Sequence, residues 1–219
     1  MVIQIVYAAP PTSENPFEPC LQDSDPPAMA PVKEIGAFQT SLYTGSGSYV
    51  YPIELPPGTN KLAPKLELAY SSHNARDRSS LVGSGWSLTE SYVRRDANST
   101  PYDLTDDTFD LVLEGQQYRL VFNGTENRYH TEEESYLFIE RTAGSPENAK
   151  GEYWNVRKTG GTRYRFGYTA DAESLGVTTG NVTRWNLDTV EDPHGNHIYY
   201  TYVENPTTND IGTSYLSRI

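Results

Sequence analysis

Short runs of alternating apolar and polar residues recur along the chain from about residue 37. Alternation with a period of two is typical of a β-strand that turns one face toward the interior. The runs predict strands at residues 37–43, 49–55, 65–71, 86–94, 109–113, 117–122, 136–141, 153–158 and 163–168. Because Gly, Pro, Asn and Asp clusters separate nearly all of them, we expect an all-β fold built as an antiparallel meander of short strands and hairpins.

Two turn signals stand out within this pattern. Asn123-Gly124 can supply two positive φ angles, so the strands on either side of it are expected to form a hairpin. In Asp192-Pro193-His194-Gly195-Asn196, proline fixes one φ angle and glycine frees another, which predicts a second hairpin. After that turn, Ile198, Tyr200 and Tyr202 are expected on one face, and Tyr199, Thr201 and Val203 on the other.

One segment admits a helix as well as a strand. Glu132-Glu133-Glu134 lies in a stretch without Gly or Pro and could begin a helix. The following Tyr136-Leu137-Phe138-Ile139 lacks the spacing of 3.6 residues that a helix requires, and therefore favours a strand.

Composition limits the kinds of partner. The 219 residues carry 17 basic and 29 acidic side chains, a formal net charge of -12, and the basic residues are not clustered. This charge argues against nucleic acid as a partner and against docking on an anionic membrane, and no apolar run is long enough for membrane insertion. The 17 Tyr against six Phe favour broad sheets with a thin core rather than a single compact one.

The first 35 residues differ from the rest. Prolines at positions 10, 11, 16, 19, 26, 27 and 31 predict an extended linker. Residues 1–10 are apolar and then small, like the tail of a truncated secretory signal, although they lack its basic start; the alternative is a start without fixed structure. Cys20 is the only cysteine, so an internal disulfide and a site of the CxxC type are excluded.

Several residues are candidates for chemistry, and each has a plainer interpretation. The acidic group Asp103, Asp106, Asp107 and Asp110 could hold calcium, but it lacks the EF-hand spacing and equally forms a solvated turn. His194 and His197 flank a turn without a zinc motif. Ser84 lacks the glycines of a nucleophile elbow, and Gly45-Ser46-Gly47-Ser48 lacks the rest of a phosphate-binding loop.

Aromatic residues and carboxylates leave a sugar-related function open. Trp86, Trp154 and Trp185 are dispersed along the chain, which favours core or inter-sheet anchors over a sugar platform. The separation of two carboxylates, on which a glycosidase depends, cannot be measured from sequence. The sequons at Asn98, Asn123 and Asn181 occur about as often as chance predicts. We predict no catalytic, cofactor-binding or metal-ligating residue.

The order of several motifs resembles a known family. The motifs are Pro56-Pro57-Gly58, Ala63-Pro64, Tyr70-Ser71-Ser72, Gly83-Ser84-Gly85-Trp86-Ser87-Leu88, Arg94 or Arg95, Pro101-Tyr102-Asp103 and Asp106-Asp107-Thr108-Phe109. This order resembles the SpvB-type amino-terminal domain of toxin-complex B subunits and secreted Rhs/YD-repeat proteins. The stretch from Trp185 to Tyr202 resembles a YD-type hairpin, and Tyr215-Leu216-Ser217-Arg218-Ile219 begins a further strand.

The resemblance implies an organisation and a function. It implies a signal-like segment and linker at residues 1–35, an SpvB-like β domain at 36–180, and a first YD/Rhs-like hairpin at 181–219, cut off in mid-repeat and leading into a spiralling sheet. The expected role is a non-catalytic scaffold, secreted or at the cell surface, that helps to form a β shell for encapsulating and delivering a C-terminal toxin.

The resemblance also implies partners, and two other functions stay open. The expected partners are downstream Rhs/YD repeats of the same polypeptide or a C-type subunit, with a cell-surface receptor or a pore subunit as further candidates. The ADP-ribosyltransferase activity for which the family is known lies elsewhere in those proteins and is not transferred. The alternatives are an adhesion or carbohydrate-binding β module and, more weakly, a glycosidase-like enzyme.

Overall fold

A computed structural model describes residues 36–41, 45–76, 82–205 and 212–219. The first four strands form an open antiparallel sheet in chain order, with no buried residue in any of them. We call it the open sheet; its strands are β1 (Ala37–Thr40), β2 (Gly47–Pro52), β3 (Glu67–Ser71) and β4 (Trp86–Leu88). The leader and Cys20 lie outside the described residues, as does Tyr43 in the first predicted strand.

The next eight principal strands form a ring, which we call the closed sheet. Neighbours pair antiparallel from β5 to β11, and β13 pairs with both β5 and β11, which closes the ring into a barrel-like sheet. Its strands are β5 (Tyr92–Asp96), β6 (Thr108–Leu113), β7 (Gln116–Asn123), β8 (Arg128–Thr131), β9 (Phe138–Ala143), β10 (Glu152–Arg157), β11 (Arg163–Phe166) and, after a short β12 (Glu173–Leu175), β13 (Val182–Glu191).

The chain ends in two hairpins. β13 continues through the turn at residues 192–196 into β14 (His197–Tyr199), with Val190 opposite Ile198. β15 (Thr201–Glu204) then pairs with β16 (Ser214–Arg218) as a separate two-stranded sheet. The described residues include three short 3₁₀ helices, Thr59–Lys61, Ser72–Arg76 and Ala170–Ala172, and no α-helix. In this part of the chain, no helix is long and apolar enough to cross a membrane.

The hydrophobic core lies inside the closed sheet. All of its members come from strands of the ring, because closure turns one face of every strand away from water. They are Val93, Phe109, Leu111, Leu113, Leu120, Ile139, Trp154, Val156, Tyr164, Phe166, Val182, Trp185, Leu187 and Val190. The expectation of a thin core spread along a sheet is therefore wrong, because the sheet closes on itself and gathers the core inside the ring.

The all-β, antiparallel fold is confirmed, and most predicted strands are present with small shifts in their ends. The strand predicted at 86–94 is instead two strands in different sheets. Thr89 still pairs with β3, because its N–H donates to Glu67 O at 2.9 Å. Two residues later, the Ser91 carbonyl accepts from Leu187 N, and from there the chain pairs within the closed sheet. The sequence prediction missed the short strands β8 and β12.

The two predicted hairpins are both present. At Asn123-Gly124 the loop has four residues, and the positive φ falls on Asn127 (52°) rather than on Gly124. At 192–196 the Asp192 carboxylate accepts hydrogen bonds from the N–H groups of His194 and Asn196, each at 2.8 Å. The predicted alternation after this turn is confirmed, since Tyr199 is 62% exposed whereas Ile198 packs against the core.

Candidate functional site

One end of the closed sheet contains a cavity of about 200 Å³, which we call the mouth cavity. It lies where β5 and β9 end and where β10 and β13 begin, so its walls come from four strands and from the loops that precede β6, β10 and β13. The lining combines three cations, two carboxylates and an apolar floor: Arg95, Arg141, Lys150, Asp107, Glu152, Leu104, Asn181, Val182 and Trp185.

A buried ion pair forms the inner wall of the mouth cavity. Arg95 Nε donates to Asp107 Oδ2 at 2.5 Å, and the two side chains are only 7% and 6% exposed. Arg95 Nη2 and Asp107 Oδ1 are also buried and have no hydrogen-bond partner among the described residues. Removing two charges from water is costly, so this pair is expected to specify the local geometry more than to stabilise the fold.

A second arginine covers the aromatic core below the mouth cavity. The Arg141 guanidinium lies 5.1 Å from the ring centre of Phe109 and 5.7 Å from that of Trp185, within range of cation–π attraction. Its Nη2 donates to Glu152 Oε2 at 2.5 Å. Both carboxylates of the mouth cavity are thus held by arginines rather than facing each other across an open cleft, and the lining given above includes no hydroxyl, thiol or imidazole.

The four aspartates predicted as an acidic turn do not converge. Asp103 accepts from Thr105, Asp106 accepts from Thr100, and Asp107 pairs with Arg95. Burial raises the pKa of Asp110, but hydrogen bonds and charge from Arg94 and Arg119 outweigh burial and hold that pKa below its usual value. Across the described residues, no group of three or more His, Cys, Asp or Glu side chains is placed to hold a metal ion.

The other candidates each have a local structural role. The Ser84 hydroxyl donates to Ala75 O at 2.5 Å, and the His197 ring stacks on Tyr199. In the glycine-serine stretch at 45–48, Gly47 and Ser48 already belong to β2, so Gly45-Ser46 is followed by a strand and not by a helix.

The tryptophans act mainly as anchors. Trp154 and Trp185 are core residues, and their ring centres are 5.8 Å apart. Trp86 is half-buried and packs against Tyr70 on the open sheet. The interpretation of the tryptophans as anchors is therefore correct for the closed sheet.

The sequence analysis missed a set of buried polar residues where the terminal hairpins meet the closed sheet. Asp188 accepts from Arg165 Nε at 2.6 Å and from Tyr168 N at 2.7 Å, and burial raises its pKa despite the charge of Arg165. Glu173 is 2% exposed, and burial raises its pKa as well. No sequence signal marks these positions, because key hydrogen-bond partners lie 20 or more residues away in the chain: Arg165 and Tyr168 for Asp188, and Ala149 for Glu173.

Direct hydrogen bonds tie the last hairpin to this junction. Tyr202 N donates to Asp171 Oδ2 at 2.8 Å, and the Tyr202 hydroxyl donates to Leu187 O at 2.8 Å. The hydroxyls of Ser174 and Ser214 lie 2.7 Å apart. Burial and then the nearby Asp171 raise the pKa of Glu204 in the same hairpin. The hairpin β15–β16 is thus fixed to the closed sheet through its backbone and tyrosine hydroxyl.

Structural comparison relates this all-β arrangement to toxin-complex proteins. The crystal structure of TcdB2-TccC3 matches with a TM-score of 0.64 and 20% identity, covering 83% of this chain and 10% of that one. The Photorhabdus luminescens Tc holotoxin pore matches with a TM-score of 0.59 and 19% identity, covering 83% of this chain and 10% of that one. At these identities the likeness shows the fold. The chain spans about a tenth of the length of both structures.

A family model gives the relationship by sequence. The model for SpvB, described as Salmonella virulence plasmid 65kDa B protein, matches residues 42–214, and the chain belongs to this family. The N-terminal domain of effector protein SpvB from Salmonella typhimurium strain LT2 has the same fold, with a TM-score of 0.54, 23% identity, and coverage of 71% of this chain and 58% of that one. No curated protein sequence matches.

Proposed function

We propose that the chain is a non-catalytic scaffold, the N-terminal part of a secreted or cell-surface protein that helps to form a β shell around a C-terminal toxin. The observation that carries this proposal is the pair of terminal hairpins fixed to the closed sheet. Among the described strands, β15 and β16 form a two-stranded sheet of their own. A sheet of this kind can be extended by a further strand through main-chain hydrogen bonds.

The proposal divides the chain into three segments. Residues 1–35 act as signal-like segment and linker, 36–180 as the SpvB-like domain, and 181–219 as the first YD/Rhs-like hairpin. β13 belongs to that last segment in sequence and also completes the closed sheet, so the hairpin would grow directly from the core. A rigid base of this kind suits a spiralling sheet, because each later hairpin inherits the orientation of the first.

The proposed partners follow from the same geometry. Downstream Rhs/YD repeats of the same polypeptide, or a C-type subunit, would add strands to the sheet of β15 and β16 and complete the shell, and a receptor or pore subunit would contact the finished assembly. One of the structures with the same fold is described as a Tc holotoxin pore, which supports this choice. In this proposal any toxic activity resides in the enclosed segment rather than in residues 1–219.

A second candidate is an adhesion or carbohydrate-binding module, and one observation favours it. Phe38, Tyr49, Tyr70 and Trp86 are directly opposite one another across β1 to β4, which places an aromatic row on one face of the open sheet. Phe38 is 66% exposed. Aromatic faces of this kind can stack on sugar rings, and a glycan array probed with the 219-residue chain would detect binding.

The shell proposal is tested on the polypeptide encoded by the complete reading frame that contains residues 1–219. We expect cryo-electron microscopy to show a hollow β shell and proteolysis to leave a C-terminal segment protected. The double variant Tyr202→Phe with Asp171→Ala removes two bonds of the hairpin junction, so protection should fall. Tyr199→Phe, at an exposed position, is the control. A product without an enclosed volume, or one whose C-terminal segment is cleaved at once, would contradict the proposal.

A further inference from the structure

The turn between β7 and β8 contains a candidate site of spontaneous covalent modification. It begins with Asn123-Gly124, the only Asn-Gly dipeptide in the sequence. In such a dipeptide, the backbone nitrogen of the glycine can attack the side-chain amide carbon of the asparagine, because no Cβ of the following residue hinders the approach. Asn123 is half-buried, whereas Gly124 and Thr125 are exposed, so water reaches the turn.

Two backbone donors hold the Asn123 side chain along the turn. Its Oδ1 accepts a hydrogen bond from Thr125 N at 3.0 Å and another from Glu126 N at 3.4 Å. Both bonds turn the amide toward the residues that follow it, where the attacking nitrogen lies. Attack on the amide carbon moves negative charge onto Oδ1. N–H groups aimed at an oxygen that gains charge lower the barrier, as they do in an oxyanion hole.

The attacking nitrogen and the leaving nitrogen are both loosely held. Gly124 lies outside the two strands of the hairpin, and its N–H donates no hydrogen bond among the described residues. It can therefore attack without first breaking a bond. The leaving group, Asn123 Nδ2, donates one hydrogen bond, to Glu126 Oε1 at 3.2 Å in an exposed turn.

A second asparagine provides the contrast. Asn148 is likewise followed by a small residue, Ala149. Its Nδ2 donates to the carbonyl oxygens of Glu152 and Gly167, at 2.8 and 2.5 Å. Ala149 N donates to Glu173 Oε2 at 2.8 Å. Both nitrogens that would have to move are thus held by hydrogen bonds at this position.

We propose that the folded chain converts Asn123 into aspartate and isoaspartate without an enzyme. Gly124 N loses its proton to the solvent and forms a bond to Asn123 Cγ. The bond from Cγ to Nδ2 then breaks, and Nδ2 takes a proton from water and leaves as ammonia, which closes a succinimide. Water adds across one of the two imide C–N bonds and opens the ring. Nothing is oxidised, water is the only co-reactant, and the reaction does not depend on whether the protein forms a shell.

The product changes the charge and the backbone of the turn. A carboxylate at position 123 replaces the Nδ2 donor that faces Glu126, so an attraction becomes a repulsion between two carboxylates. Isoaspartate also adds a methylene group to the main chain, directly at the pair of Asn123 and Arg128 that closes the hairpin. The modification therefore acts on the tip of the β7–β8 hairpin.

The test is incubation of the 219-residue chain at pH 8 and 37 °C, followed by tryptic digestion, chromatography and mass spectrometry, with an unincubated sample as control. Peptides 120–128 and 142–150 carry Asn123 and Asn148, respectively. At Asn123 we expect the mass change of NH₂ to OH, divided between aspartate and isoaspartate forms that separate on the column. Conversion at Asn148 should be at least about tenfold slower, the equivalent of about 1.4 kcal/mol in activation free energy.

Gly124→Ala is the matched variant. A Cβ at this position would meet only Phe122 Cε1, at 3.9 Å, so the variant should keep the fold, and thermal unfolding checks this. The added methyl group crowds the attacking nitrogen and should lower the rate at Asn123 at least about tenfold.

Three results would overturn the inference. The first is an Asn123 that stays unconverted in the folded chain, whether or not the chain reacts when unfolded in urea. The second is conversion of Asn148 as fast as that of Asn123, which would show that the hydrogen bonds around the two asparagines do not control the reaction. The third is an unchanged rate in folded Gly124→Ala, which would exclude attack by this backbone nitrogen.

Discussion

The open sheet and the closed sheet are built from the same kinds of strand but differ in what they bury. Both are antiparallel and rich in aromatic residues. None of the residues of β1 to β4 is buried, whereas every member of the core cluster belongs to the ring that β13 completes. Closure, rather than strand composition, therefore decides where this chain makes a core, and the open sheet has to gain stability from cross-strand pairs or from a partner.

The largest expected contrast is between two tryptophans. Trp185→Ala removes a side chain that is 1% exposed and contacts Phe109 and Trp154, and it should lower the free energy of unfolding by about 3–5 kcal/mol. Trp86→Ala in the open sheet should cost less than half of that, because the ring is only half-buried. Urea unfolding followed by circular dichroism measures both. Equal losses would show that the open sheet is part of the same cooperative core.

Two glycines with nearly the same φ sharpen the comparison. A Cβ at Gly167 (φ 71°) would lie 2.2 Å from Trp185 Cδ1, whereas a Cβ at Gly45 (φ 67°) meets no atom of the described residues within 4 Å. Gly167→Ala should therefore lower the free energy of unfolding by about 3 kcal/mol. Gly45→Ala should lower it by about 1 kcal/mol, because only the positive φ is unfavourable there. Thermal unfolding of the two variants measures the difference. If the costs agree, steric crowding inside the closed sheet is not the cause.

A substitution at Glu173 should stabilise the fold rather than destabilise it, and the gain should depend on pH. Because its pKa is raised in the folded chain, its contribution to stability is present below the unfolded pKa and lost as pH rises through the folded pKa. Glu173→Gln should thus stabilise the fold at pH 7 by about 1 kcal/mol and have little effect near pH 4. Urea unfolding across this pH range measures it, with the exposed Glu140→Gln as control. Destabilisation at pH 7 would contradict the account.

The smallest expected effect is at the edge of the open sheet. Phe38 is 66% exposed, so Phe38→Ser should change the free energy of unfolding by less than about 0.5 kcal/mol. Differential scanning calorimetry should show the same midpoint within error. A loss comparable to that of a core residue would mean that another part of the chain covers this face.

The sequence predicts local features of the fold well, because their causes are local. The turn at 192–196 follows from proline, glycine and an aspartate that accepts two backbone hydrogen bonds. Alternation likewise places Ile198 and Tyr199 on opposite faces. The family resemblance, now confirmed, rested on similarly short motifs in a fixed order.

Features that depend on long-range pairing were not predictable in this way. Closure requires Tyr164 to meet Val190, and no residue near either position signals it. The same holds for the opposition of Arg157 and Arg163, which exists only in one register. The buried ion pair of Arg95 and Asp107 could not be predicted either, because Asp107 lies in an acidic stretch that is typical of a solvated turn. Sequence periodicity defines faces, whereas pairing decides which faces become interior.

Native-state hydrogen exchange of the 219-residue chain tests most directly the claim that the closed sheet is the stable base of the molecule. We predict that amides of β5 to β7, β10 and β13 exchange only through global unfolding, whereas those of β1 to β4 exchange orders of magnitude faster. Equal protection of Ala69 in the open sheet and Leu111 in the closed sheet, or slower exchange of Ala69, would contradict it.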